Sequence, residues 1–143
     1  MTIPLWVLLG FALWTLAILM VGIGISRWSL ILTGAAQLTD FPGDRPHGGP
    51  AYRRAVRAHA NCVENLPVFG AIVLVLYAVH LDSRLIDTLA VALLVARVCQ
   101  STVHMAFAET NTTVLVRFSF FSVQLVAMLW LALEIVRAAG LPM

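Results

Sequence analysis

The chain has 143 residues, 61% of them hydrophobic and 11% charged, with a formal net charge of +2. A domain bathed in water carries roughly 25% charged residues, so this composition excludes water as the main solvent. The small, scattered positive excess likewise argues against a nucleic-acid partner.

Four apolar stretches follow in chain order. Ile3 to Ile25 carries no charge, and its apolar character runs past Arg27 to about Leu38. That stretch is too long for the core of a signal peptide, has no basic lead-in, and ends without a small-residue cleavage site. Asn61 to Leu81 holds one acid, Glu64, and Leu85 to Ala108 holds one base, Arg97. Val114 to Val136 contains Arg117 and Glu134. Each reaches the ~20 residues that cross ~30 Å of hydrocarbon at ~1.5 Å per residue. Lipid offers no water to satisfy backbone polar groups, so the spans must be helices. The two-residue alternation of a membrane barrel strand is absent. The expected fold is all-α, an integral membrane four-helix bundle. A single transmembrane domain covers residues 1–143, with helices at about 3–38, 51–81, 83–108 and 112–138.

The first connector is rich in turn formers, Pro42, Gly43, Pro46, Gly48 and Gly49, and Pro50 suits the first turn of helix two. Its glycines are not followed by the Gly-Lys-Ser/Thr of a phosphate loop. Asp82 or Ser83 is expected to cap helix three, and Asn111, Thr112 or Thr113 helix four. Arg45, Arg53 and Arg54 concentrate positive charge on the first connector. The positive-inside rule then puts the first and third connectors in the cytoplasm and both termini outside. His47 and His80 read as solvated connector residues. Trp6, Trp14, Trp28 and Trp130 read as interfacial or lipid-facing.

The polar residues within the spans are more informative. Arg57, Asn61 and Glu64, at i, i+4 and i+7, stack on one face of helix two, and Asn65 borders them. His59 points roughly the opposite way. Arg97, Gln100, Ser101 and His104 make a second stripe on helix three, and Arg117 and Gln124 a third on helix four. A charged side chain at bilayer depth costs on the order of 2.5–3.5 kcal/mol. These seams can act as interhelical glue, with Glu64 pairing with Arg57 or Arg97. Yet three guanidiniums face a single acid at comparable depth. An anionic ligand, or lipid phosphate at the interface, would balance the excess. Cys62 and Cys99 read as small apolar residues, and no metal-ligand spacing is present. Glu134 reads as interfacial, paired with Arg137.

The stretch "RAHANCVENLP" at residues 57–67, with the preceding "HGGP", "ARV" at 96–98 and "VRFSFF" at 116–121, resembles a known signature. It is that of the membrane-associated proteins in eicosanoid and glutathione metabolism (MAPEG), in their bacterial form. The resemblance covers nearly the whole chain. It implies a homotrimer that binds glutathione between neighbouring subunits near the cytoplasmic side. By that resemblance Arg57, Asn61 and Glu64 contact glutathione, Arg117 stabilises its thiolate, and Arg97 matches a helix-three arginine. Asn65 completes the helix-two set. Arg97, Gln100, His104 and Gln37 are expected to join the glutathione contacts, although Gln100 and His104 stand where family synthases carry tyrosines, and Gln37 where some members carry a further arginine. The implied activity is that of a glutathione transferase or peroxidase, with glutathione as co-substrate. It would act on a lipophilic electrophile reaching it through membrane lipid, in the bacterial inner membrane. The alternative offered by the same family is a non-catalytic lipid-binding or scaffold protein.

Overall fold

A computed structural model of the chain describes residues 1–43 and 47–140; Arg45 and Pro46 of the first connector lie outside the described residues. Four helices dominate: α1 (Ile3–Leu32), α2 (Pro50–Ala78), α3 (Arg84–Ala106) and α4 (Asn111–Ala138). All four are long and apolar enough to cross a bilayer. A 3-10 turn, Leu38–Asp40, punctuates the first connector.

Helix α1 stops six residues short of where the apolar run ends. The cause is local. Gly34 adopts φ +72°, so its N–H reaches the Ile31 carbonyl at 3.0 Å while the Ala35 N–H reaches Leu30 at 2.9 Å. This paired closure satisfies carbonyls the helix end would otherwise leave bare, and it needs the left-handed conformation glycine adopts freely. Ser83 caps α3 as expected, its Oγ accepting from the Ile86 N–H at 3.2 Å. The cap of α4 is Thr110, one residue before the expected candidates. Thr110 Oγ1 accepts from the Thr113 N–H at 3.2 Å, and Thr113 Oγ1 accepts from the Thr110 N–H at 2.8 Å. Two orphan donors are thus satisfied reciprocally, which explains why the helix starts one residue earlier.

Within α1, Ile18–Gly24 is wound as a π-helix. A side chain on Gly22 would put its Cβ 3.0 Å from the Ala55 Cβ of α2, so the two helices meet there through their smallest residues. In lipid no hydrophobic force draws helices together, and such close backbone approach supplies the dispersion contacts instead. Gly22→Val is expected to wedge this contact apart and cost about 1–3 kcal/mol, read as a lowered unfolding midpoint in detergent.

The core is assembled from all four helices. Phe11, Cys62, Phe69, Ala90 and Leu131 are fully enclosed, and the rings of Phe11 and Phe69 pack with centroids 6.2 Å apart. Large apolar side chains such as Trp6, Leu13, Met20, Leu74, Val95 and Leu129 face outward, as a lipid-solvated surface requires. Trp14 departs from the lipid-facing expectation. It is half-buried, and its indole N–H donates to Ser101 Oγ at 2.8 Å. An indole N–H has no acceptor among acyl chains, so it turns inward to the one α3 offers. At the connector end Arg54 Nε donates to the Met105 carbonyl at 3.1 Å, tying the start of α2 to the end of α3.

Candidate functional site

Helix α2 buries Ala55, Ala58, Cys62, Phe69, Val73 and Leu76. Turning that small and apolar face inward leaves the polar stripe on the other side. Arg57 and Glu64 are exposed on the outer surface of the single chain, with Asn61 and Asn65 half-buried beside them. The Asn65 side-chain amide donates to the Asn61 carbonyl at 2.8 Å, which braces the stripe along the helix. Glu64 pairs with neither Arg57 nor Arg97: the ion pairs among the described residues are Arg117–Glu109 and Arg137–Glu134. The second of these is the interfacial pair expected at the end of α4.

The stripe of α3 goes the other way. Arg97, Gln100, Ser101 and His104 are buried inside the bundle, as is Gln124 of α4. Arg97 is 1% exposed, and its guanidinium carbon lies 5.4 Å from the centre of the Phe11 ring. Gln124 Nε2 donates to Gln100 Oε1 at 3.0 Å, and Gln100 Nε2 donates to the Arg117 carbonyl at 3.2 Å. These bonds lock α3 to α4 at the level of Arg117. Nε and Nη2 of Arg97, both ring nitrogens of His104, and Gln124 Oε1 make no hydrogen bond within the described chain. Buried polar atoms are seldom left so, and their concentration marks this half of α3 as built for something other than packing.

Arg117 is half-buried, with Nη1 3.3 Å from Glu109 Oε1. Glu109 lies in the third connector, outside the apolar spans, where the charge pattern of the spans alone does not count it. With it included, one of the three guanidiniums has an acid beside it. Gln37 is exposed and closes the 3-10 turn, its backbone N–H donating to Asp40 Oδ2 at 2.8 Å. His59 is half-buried and His80 exposed. His47 is not simply solvated: its ring packs 5.2 Å from that of Tyr52 and edge-on to Phe41 at 5.9 Å. Cys62 and Cys99 are free thiols. Among the described residues no group of three or more His, Cys, Asp or Glu is arranged to hold a metal.

Arg27 of α1, outside the polar stripes, belongs to the same end of the bundle. Its Nε donates to the Tyr52 hydroxyl, and with Arg53, Arg54 and Arg57 it lines a cavity of about 750 Å³ at the connector end. The available signal was that Arg27 is the one charge in an otherwise uncharged first span.

Four helices able to cross a bilayer, one polar seam enclosed between them and another on the outer face, define a small integral, multi-pass membrane protein. The chain belongs to the MAPEG family, whose family model matches residues 4–137. No curated protein and no solved structure matches it.

Proposed function

We propose that the protein is a membrane-bound, glutathione-dependent transferase or peroxidase acting on a lipophilic electrophile. In this reading it works as a homotrimer in the bacterial inner membrane, with both termini outside. One observation carries the proposal: Arg57, Asn61 and Glu64 form a charged stripe on the outer face of a membrane-spanning helix. Left against acyl chains, each charge would cost several kcal/mol on the order of insertion scales. A neighbouring subunit with a zwitterionic ligand between the two removes that cost.

Glutathione has the matching groups, two carboxylates and an amine. Arg57 binds a carboxylate through charge-assisted hydrogen bonds, Glu64 binds the amine, and Asn61 and Asn65 add neutral ones. Gln100 stands in the bundle interior and holds α3 to α4, and Arg97 and His104 are buried beside it with nitrogens that make no hydrogen bond among the described residues. Arg117 supplies the chemistry. A thiol of pKa ~8.5 is mostly protonated at neutral pH, and a guanidinium beside it favours the thiolate, the reactive nucleophile. The thiolate attacks the electrophilic carbon of the substrate, a carbon–sulfur bond forms, and the leaving group departs with the bonding pair. With a hydroperoxide it attacks the terminal oxygen, the O–O bond breaks to release the alcohol, and a second glutathione thiol then displaces water from the resulting sulfenic acid to form the disulfide.

A second reading is the non-catalytic lipid-binding scaffold. It is favoured by the pairing of Arg117 with Glu109 and by the hydrogen bond that Gln124 donates to Gln100. Thermal unfolding in detergent separates the two. Glutathione at ~100 times its dissociation constant should stabilise the protein by about 2.7 kcal/mol, and Glu64→Gln should abolish the shift. No shift in the wild type at millimolar glutathione would refute the enzymatic reading.

A further inference from the structure

Two cavities meet at Arg27 of α1. The larger, about 750 Å³, is lined by Arg27, His47, Tyr52, Arg53, Arg54 and Arg57, and reaches the third connector at Glu109. The smaller, about 440 Å³, is an oily groove lined by Leu19, Met20, Ile23, Ile25 and Trp28, with Arg27 again at its edge. The groove overlaps the π-helical turn Ile18–Gly24, a winding that recurs where helices are adapted to a ligand.

Arg27 is fixed at the junction. Its guanidinium stacks on the rings of Phe41 and Tyr52, at 5.3 and 5.6 Å, and its Nε donates to the Tyr52 hydroxyl. His47 Nε2 lies 3.2 Å from the same hydroxyl. Among the described residues the one acid on the cavity wall is Glu109, and its carboxylate already faces Arg117. The cavity is therefore strongly cationic, and the groove next to it is apolar. That is the outline of an anionic amphiphile.

We propose that the two cavities together form a binding site for an anionic phospholipid. Its phosphate is held by Arg27, Arg53 and Arg54, and an acyl chain lies along the groove from Leu19 to Trp28. Guanidinium forks match phosphate oxygens in geometry as well as charge, and juxtamembrane arginines draw anionic lipid to this surface. A zwitterionic lipid is disfavoured, because its ammonium would sit among four guanidiniums. A bound lipid would join the end of α1 to the start of α2. The site does not depend on the glutathione reading, since neither Arg27 nor Arg53 belongs to the proposed glutathione contacts. Arg57 lines both and is left out of the test.

The test uses full-length, delipidated protein in detergent, with native mass spectrometry and thermal unfolding. The probes are dioleoyl phosphatidylglycerol, dioleoyl phosphatidylcholine and inorganic phosphate. Phosphatidylglycerol should bind and raise the unfolding midpoint, with phosphatidylcholine about tenfold weaker, a difference of ~1.4 kcal/mol, and inorganic phosphate without effect. The double variant Arg27→Gln/Arg53→Gln should weaken phosphatidylglycerol binding by a similar factor, while Arg84→Gln, at the far end of the bundle, should leave it unchanged. Should the double variant fail to fold, Arg53→Gln alone, at an exposed position, carries the same expectation. Equal affinity for the two lipids, or unaltered phosphatidylglycerol binding by the variants, would overturn the proposal. Stabilisation by inorganic phosphate alone would equally overturn it, reassigning the cavity to a free phosphate.

Discussion

Arg117→Ala should lower kcat/KM for glutathione-dependent turnover about a hundredfold, while moving stability by less than ~1 kcal/mol. The two halves of this expectation come from different atoms. The guanidinium's partner, Glu109, is 60% exposed, and ion pairs so placed contribute little to stability in water. The hydrogen bond from Gln100 goes to the backbone carbonyl of Arg117, which alanine retains. The fold should therefore survive. Activity should not, because within the proposed mechanism the guanidinium holds the thiolate, and two units of thiol pKa correspond to about a hundredfold in thiolate population. Glu109→Gln is the complementary variant: it releases Arg117 from its partner and should preserve or raise activity. Steady-state kinetics with an aromatic halide, beside thermal unfolding of the same samples, reads both quantities. An Arg117→Ala protein with wild-type kcat/KM would remove Arg117 from the mechanism.

The largest effect on stability is expected at Phe11. Phe11→Ala should cost about 3–5 kcal/mol. Phe11 is fully buried, packs its ring on Phe69 and lies beneath the guanidinium of Arg97. Truncation opens a cavity among rigid helices and withdraws the π-face from a buried cation that makes no ion pair among the described residues. Trp6→Ala is the control. Trp6 is comparably large but 58% exposed at the lipid-facing surface, so its loss should change the unfolding midpoint by less than ~1 kcal/mol. Equal destabilisation by the two substitutions would show that side-chain volume, rather than burial in the bundle, sets the cost.

The number of spans and the residues that share a stripe were legible in the amino-acid order. Bilayer thickness demands a fixed length of apolar helix, and a helix places residues three, four and seven apart on one side. Arg57, Asn61 and Glu64 do share a face of α2, and Arg97, Gln100, Ser101 and His104 share one of α3. Which way each face turns was decided only by packing. In a water-soluble bundle, polarity itself announces the outside; in lipid both the core and the surroundings are apolar, and hydropathy carries no such direction. So the stripe of α2 faces outward while that of α3 faces inward, and Trp14 turns from the lipid to Ser101. Groups distant in sequence met for the same reason: Glu109 with Arg117, and Arg27 with Phe41 and Tyr52. Contacts across such separations depend on how helices pack and connectors fold back, which no local pattern records.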